Sequence, residues 1–262
     1  CSRRRRGCRR RSGGGSSQNQ TQTGRWHGGA TMALICEVSG KPTASVNGPG
    51  HAPTSADWDV HWRAQRRSLF GRICSLYRRH IRARSVAYHF ERFFPPAGIF
   101  AECGSGSSET SCRIKVRQRT LVAIDFSSEA LLRASRRPQI KHCVQADIRS
   151  LPFEDQSLDG IWNLGVMEHF PEDEQRSILG EFRRVLKIGG RLMMWWPPRV
   201  ATDYLLLSPF GWRFPAEPGR LAPSAMRERC ESSGFSDVNV CFPLSDCGTE
   251  CLVRAVRAEP ST

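Results

Sequence analysis

The 262-residue chain is 39% hydrophobic and 24% charged, which fits one ordinary domain with extensions or at most two small ones. That composition excludes a collagen, a coiled coil and a wholly disordered chain, and no apolar run approaches the roughly 18 residues of a membrane-spanning helix. The net charge of +14 lies entirely before residue 93, because residues 93–262 hold acids and bases in equal number, so a basic balance overall is poor grounds for a nucleic-acid-binding face.

Residues 1–56 read as a disordered tail, with Arg, Gly, Ser and Pro prominent and apolar residues too sparse to offset chain entropy. Met32, ahead of Ala33-Leu34-Ile35, is read as the start of the native chain, which leaves residues 1–31 as upstream sequence. Residues 57–96 form a basic segment. Trp62, Leu69, Phe70, Ile73, Leu76, Tyr77, Ile81 and Phe90 recur in it at helical spacing, and Arg66, Arg67, Arg72, Arg78, Arg79, Arg82 and Arg84 fill much of the remainder. Two readings of this segment are open. The first packs it as a helical cap on the next domain, and the second lays residues 62–92 on a membrane surface. Pro95-Pro96 ends the segment.

Residues 97–262 form the main domain. Strands are predicted at 99–101, 120–125, 140–145, 158–164, 191–196, 238–242 and 250–256. Helices are predicted at 128–136, 172–186 and 223–233, the second stopped by Lys187-Ile188-Gly189-Gly190. The alternation points to an α/β fold: a Rossmann-like, doubly wound, mostly parallel seven-stranded sheet with one antiparallel edge strand, preceded by the helical N-terminal segment.

The 11 cysteines are odd in number and hold no CxxC pair, so they read as free thiols in a cytoplasmic protein rather than as disulfides or a zinc site. The chemistry gathers at the strand ends. Gly104 and Gly106 permit a tight turn after the first strand, beside Glu102. Asp125 ends the second strand, where a carboxylate accepts from both ribose hydroxyls, and Asp147 follows the third, where it would meet a purine amine. A dinucleotide fingerprint needs a third glycine, and Glu109 stands there. At a helix start it would repel a pyrophosphate, so a nucleoside ligand with a cationic centre is preferred.

Ile99-Phe100-Ala101-Glu102-Cys103-Gly104-Ser105-Gly106, Asp125, Asp147-Ile148 with Leu151-Pro152-Phe153, Leu158-Asp159-Gly160-Ile161-Trp162-Asn163 and Val185-Leu186-Lys187-Ile188-Gly189-Gly190 form a set. In that set residues 97–196 resemble class I S-adenosylmethionine-dependent methyltransferases of the type 11 and ubiquinone-biosynthesis-like group. Two positions depart from the pattern: Ser108 stands where many members carry glycine, and Ile188 where proline is usual. The resemblance implies S-adenosyl-L-methionine as cofactor, held by Glu102, Gly104, Gly106, Asp125, Phe126, Asp147, Ile148 and Asn163, and methyl transfer by in-line displacement.

The acceptor is expected to be a small molecule, hydrophobic or aromatic, with an oxygen acceptor first. Asn163-Leu164-Gly165 is unlike the motif of amide- and adenine-methylating enzymes, and the neutral main domain argues against duplex nucleic acid. Glu168 and His169, expected to start the helix beside the cofactor, are the candidates for acid–base work. Relatives that bind a divalent ion carry an acid where Gly165 stands, so no metal is expected. The aromatic stretch Trp195-Trp196-Pro197-Pro198 through Trp212 reads as a lid or pocket wall, or as an insertion burying its own aromatics. Two alternatives stand beside the enzyme: a cofactor-binding partner without turnover, and a membrane-associated methyltransferase with a lipid-like acceptor.

Overall fold

A computed structural model describes residues 54–67, 69–197, 220–243 and 250–259. The tail before residue 54, the aromatic stretch beyond Pro197 and the turn at 245–248 lie outside the described residues.

The chain opens on three helical pieces, α1 (Ser55–Arg67), α2 (Leu69–Tyr77) and α3 (Ala83–Phe93), with a π-helical turn at Arg78–Arg82 between the last two. Thr54 and Asp57 cap α1 reciprocally: the Thr54 backbone N–H donates to Asp57 at 2.8 Å, and the Asp57 N–H donates back to the threonine hydroxyl oxygen at 3.4 Å. Strands β1 (Ala97–Cys103), β2 (Gln118–Asp125), β3 (Ile140–Gln145), β4 (Leu158–Leu164), β5 (Leu186–Trp196), β6 (Phe235–Cys241) and β7 (Cys251–Arg257) follow. They are interleaved with α4 (Ser128–Ala134), α5 (Glu172–Val185) and α6 (Pro223–Ser232).

All seven strands form one sheet in the order β3-β2-β1-β4-β5-β7-β6. The β1–β2, β1–β4, β2–β3 and β4–β5 pairs are parallel. The reversed strand is β7, which pairs antiparallel with both β5 and β6 and so sits one place in from the rim. This is the mostly parallel, Rossmann-like sheet that the strand–helix alternation predicts.

Three local expectations change. The first is the crossover from β1 to β2, which carries no helix. Residues 104–117 run as successive turns, closed by the backbone bonds Ser108 N–H to Ser105 O (2.9 Å), Ser111 N–H to Ser108 O (3.3 Å) and Ile114 N–H to Ser111 O (3.1 Å). The Ser-Ser-Glu-Thr-Ser run offers no apolar face to bury, and Ser108 takes a positive φ of 48°, which interrupts a helix. The second is β5, which starts at Leu186 directly from α5. The Lys187–Gly190 run read as a stop is an irregularity inside the strand, between the Leu158↔Leu186 and Gly160↔Arg191 partners, with Gly189 at φ 72°. The third is Met167–His169, which forms a short 3-10 turn rather than the start of a helix, because Pro171 separates it from α5.

The two faces of the sheet are covered differently. On one, α5 inserts Ile178, Leu179, Phe182 and Val185 against Ile161, Leu192 and Met194. On the other, where the β1–β2 helix would lie, α3 delivers Val86 and Phe90, and Phe94 follows at its end, against Phe100, Leu121, Trp162 and Trp195. Phe90 meets Trp162 edge-on at 5.0 Å and Phe94 at 4.6 Å. Gly160 leaves the space that the Phe94 ring fills. Buried Arg119 fastens this junction, donating to the carbonyls of Pro95 (2.8 Å) and Phe94 (3.2 Å) and pairing with Glu91 at 2.8 Å. Among the described residues no helix is long and apolar enough to cross a membrane.

Candidate functional site

The strand tips of β1, β2 and β4 open into one cavity of about 780 Å³. Its floor is backbone. After β1 the chain turns at Gly104 (φ 67°) and Gly106 (φ 52°), a conformation that costs side-chain-bearing residues about 1–2 kcal/mol. Space is tight as well. A Cβ at Gly104 would meet Val166 at 2.5 Å, and one at Gly106 would meet the Trp62 ring at 2.5 Å. The turn is tied to β2 twice: Ser105 N–H donates to Ile124 O at 2.9 Å, and Gly106 N–H donates to the Asp125 carboxylate at 2.7 Å. The second oxygen of Asp125 accepts from Ser127 N–H at 2.8 Å. Burial raises the Asp125 pKa, and the nearby Asp59 carboxylate adds to the rise. Backbone donors at Ser127, Gly106 and Phe126 pull it back without cancelling it.

Glu102 is 2% exposed at the base of the turn. Burial pushes its carboxyl up to about 7, although Ser108, Ser111, Thr110 and the Trp162 indole face it and act in the opposite direction. Thr110 reaches one oxygen at 3.5 Å, while the other has no hydrogen-bond partner among the described residues. Glu109, expected to repel anions at a helix start, stands in a turn and is bonded by Ser75 (2.6 Å), Arg79 (3.0 Å) and Arg137 (3.3 Å). That argument against a pyrophosphate therefore loses its footing.

The remaining expected residues divide. Phe126, Asp147, Ile148 and His169 line the same cavity as Glu102, Gly104, Gly106 and Asp125. Asp147 is gripped by Arg149, whose guanidinium contacts it at 2.6 Å and also bonds Glu174 at 2.7 Å. Burial works to raise the Asp147 pKa, but the bonds from Arg149 outweigh it and hold the carboxyl below its usual range. Glu168 is buried behind the 3-10 turn and Asn163 is buried within β4, neither on the cavity wall.

The roof of the cavity comes from the N-terminal helices. Trp58, His61 and Trp62 of α1 line it, with Cys74 and Tyr77 of α2 and Arg78 and Arg82 of the π turn. Trp58 packs edge-on against His169 at 5.3 Å. Asp59 reaches across to α4, accepting from the Ser127 and Ser128 hydroxyls and from Glu129 N–H (3.1 Å). Arg133 donates back to Trp62 O at 2.7 Å, and Arg82 pairs with Glu250 at the foot of β7. The sequence reading missed Trp58, Asp59 and His61. The Trp58/Trp62 pair, four residues apart on the face of α1 that also carries His61, was the available signal.

Residues 101–194 match a family model described as a methyltransferase domain. A protein of Mycobacterium tuberculosis described as a "probable S-adenosylmethionine-dependent methyltransferase" is 28% identical over 141 residues, which is 53% of this chain and 49% of that protein. A malonyl-(acyl-carrier protein) O-methyltransferase of Enterobacter lignolyticus is 31% identical over 152 residues, 56% of this chain and 57% of that one. This chain thus spans about half the length of the curated relatives it matches. Among solved structures, magnesium protoporphyrin IX methyltransferase from Synechocystis superposes with a TM-score of 0.56 at 15% identity, covering 76% of this chain and 94% of that one.

Proposed function

We infer that this chain, which carries a class I S-adenosylmethionine-dependent methyltransferase domain, transfers a methyl group from S-adenosyl-L-methionine to an oxygen of a small-molecule acceptor. The carrying observation is the Gly104–Gly106 turn hydrogen-bonded onto Asp125 at the wall of the 780 Å³ cavity. The residues fit the cofactor. A Cβ at either glycine would collide with a neighbour, so the turn is kept open at the main chain. Each Asp125 oxygen takes one backbone N–H and keeps acceptor capacity for a ribose hydroxyl. Glu102 adds a carboxyl to the cavity wall beside this turn, suited in its ionised form to a cationic group. Phe126 and Ile148 supply apolar walls for a purine, with Asp147 at its edge. Bound there, the cofactor supplies an electrophilic methyl on a sulfonium.

The oxygen acceptor draws its support from the O-methyltransferase named among the relatives and from a roof rich in aromatic side chains. Two measurements test the reading. A thermal-shift panel should show stabilisation by S-adenosylmethionine and S-adenosylhomocysteine and none by nicotinamide or flavin dinucleotides. Radiolabelled methyl transfer to small molecules of a lysate should then yield a labelled acceptor. Binding without any transfer would leave a partner protein without turnover.

One observation favours a peripheral membrane role for the same enzyme. Ile73 (56% exposed) and Leu76 (57% exposed) stand outward on α2, with Ile81 exposed beyond them and Arg72 and Arg84 exposed nearby. Flotation with anionic vesicles that weakens as salt rises would support it, and no flotation would remove it.

A further inference from the structure

Helix α1 lies across the cavity between two fixed points. At one end, the Trp62 ring packs on Gly106, on the cofactor side. At the other, Trp58 packs edge-on against His169, beside the tip of β4. His61 lies between them and touches both, at 5.6 Å from Trp58 (interplanar angle 74°) and 5.9 Å from Trp62 (89°). Both contacts lie within α1, and His61, which stays partly in water, lines the same cavity as Gly104, Gly106 and His169.

We propose that His61 is the acceptor-side general base of this site, and that the acceptor it serves carries an ionisable hydroxyl. The inference rests on the methyltransferase reading above and names a catalytic residue within it. In the step, His61 takes the hydroxyl proton, the oxygen electron pair forms the bond to the methyl carbon, and the carbon–sulfur pair returns to sulfur. The unit positive charge thus passes from the sulfonium to the imidazolium, and no co-reactant is needed.

The surroundings prepare His61 for this. Burial lowers its pKa and the Arg78 guanidinium lowers it further, so the ring is neutral and able to accept a proton at pH 7. Cys74 and Tyr77 of α2, Arg78 and Arg82 of the π turn, His169 of the 3-10 turn and Glu250 line the cavity with it, as do Glu102, Glu109, Asp125, Asp147, Arg149 and Glu174. Arg78 lines the same cavity, and a cation there would also favour an ionised oxygen. His169 touches the same Trp58 ring, at 5.3 Å.

The test reads the imidazole directly. The histidine resonances of the full chain are titrated by NMR, free, with S-adenosylhomocysteine and with S-adenosylmethionine, and His61 is assigned by its loss in His61→Asn. The two ligands differ at the reacting end by one positive charge. That charge, roughly 7 Å from a base bonded to the attacking oxygen, at an effective dielectric of about 20 lowers the imidazole by between one and two pH units. The proposal expects this extra drop at His61 with the sulfonium ligand. An equal response to both ligands, or a drop at His169 alone, overturns it. Binding of neither ligand, seen by calorimetry, overturns the methyltransferase reading and this inference with it.

On the acceptor recovered from the lysate, His61→Gln should lower kcat by about 10²-fold, leave the KM for the cofactor unchanged and remove the acid limb of the pH profile. An unchanged kcat and profile would also overturn the proposal. Should His61→Gln or His61→Asn fail to fold, the remaining histidine assignments and the unmodified chain still give the ligand comparison.

Discussion

The floor and the roof of the cavity are built by different means. The floor holds its shape through main-chain bonds: two glycines at positive φ, and Asp125 accepting from two backbone N–H groups. The roof holds through side chains, with Trp58, His61 and Trp62 seated by Asp59, Arg133 and the aromatic contacts among them. A main-chain floor serves any ligand with the right backbone-facing groups, whereas a side-chain roof is free to vary with the acceptor. On the function proposed above, cofactor binding falls to the first and the choice of acceptor to the second.

Substitutions should separate the two, beginning with the largest effect. Phe90→Ala removes the ring that roots α3 in Trp162 and Phe94 and should cost about 3–5 kcal/mol of stability, read by chemical denaturation. A cost under about 1 kcal/mol would mean that the roof is fastened elsewhere. Asp125→Ala should cost about 2–4 kcal/mol of cofactor binding by calorimetry, through lost charge-assisted bonds to the ribose and a loosened Gly106 turn. Unchanged affinity would remove Asp125 from the floor.

Glu102 gives a pH test of the same floor. Its carboxyl titrates at about 7, so from pH 6 to pH 8 it passes from mostly neutral to mostly charged. Affinity for the cationic cofactor should rise by up to about tenfold over that interval, and Glu102→Gln should flatten the rise. The sign for the unliganded fold is opposite. A carboxyl whose folded pKa is raised destabilises the protein as pH climbs from the ordinary carboxylate range through 7, so melting without cofactor should occur earlier at pH 8 than at pH 5. The smallest expected effect is that of Asp59→Ala. It removes an outside cap from α4 and should cost about 1 kcal/mol, while loosening α1 enough to weaken acceptor affinity more than cofactor affinity.

The strands were legible because buried parallel strands read as short apolar runs, and the strand-end acids because Glu102, Asp125 and Asp147 follow those runs at once. The missing β1–β2 helix was not legible from spacing, since the stretch is long enough to hold one and only its serine-rich composition argues against it. The irregularity at 187–190 looked like a helix stop because a Lys-Ile-Gly-Gly run serves a C-cap and a distorted strand equally well. The roof was hidden for a different reason. Helix α1 gains its place through Gly106, Ser127, Arg133 and His169, residues far along the chain, and local periodicity carries no trace of such contacts.

The helix α3 has a practical consequence for anyone cutting this chain. A fragment begun at residue 97, where the family-like stretch begins, would leave Phe100, Leu121, Trp162 and Trp195 facing water on one side of the sheet. Such a truncation should be recovered from expression as insoluble material, and a soluble product needs the preceding forty-odd residues kept attached.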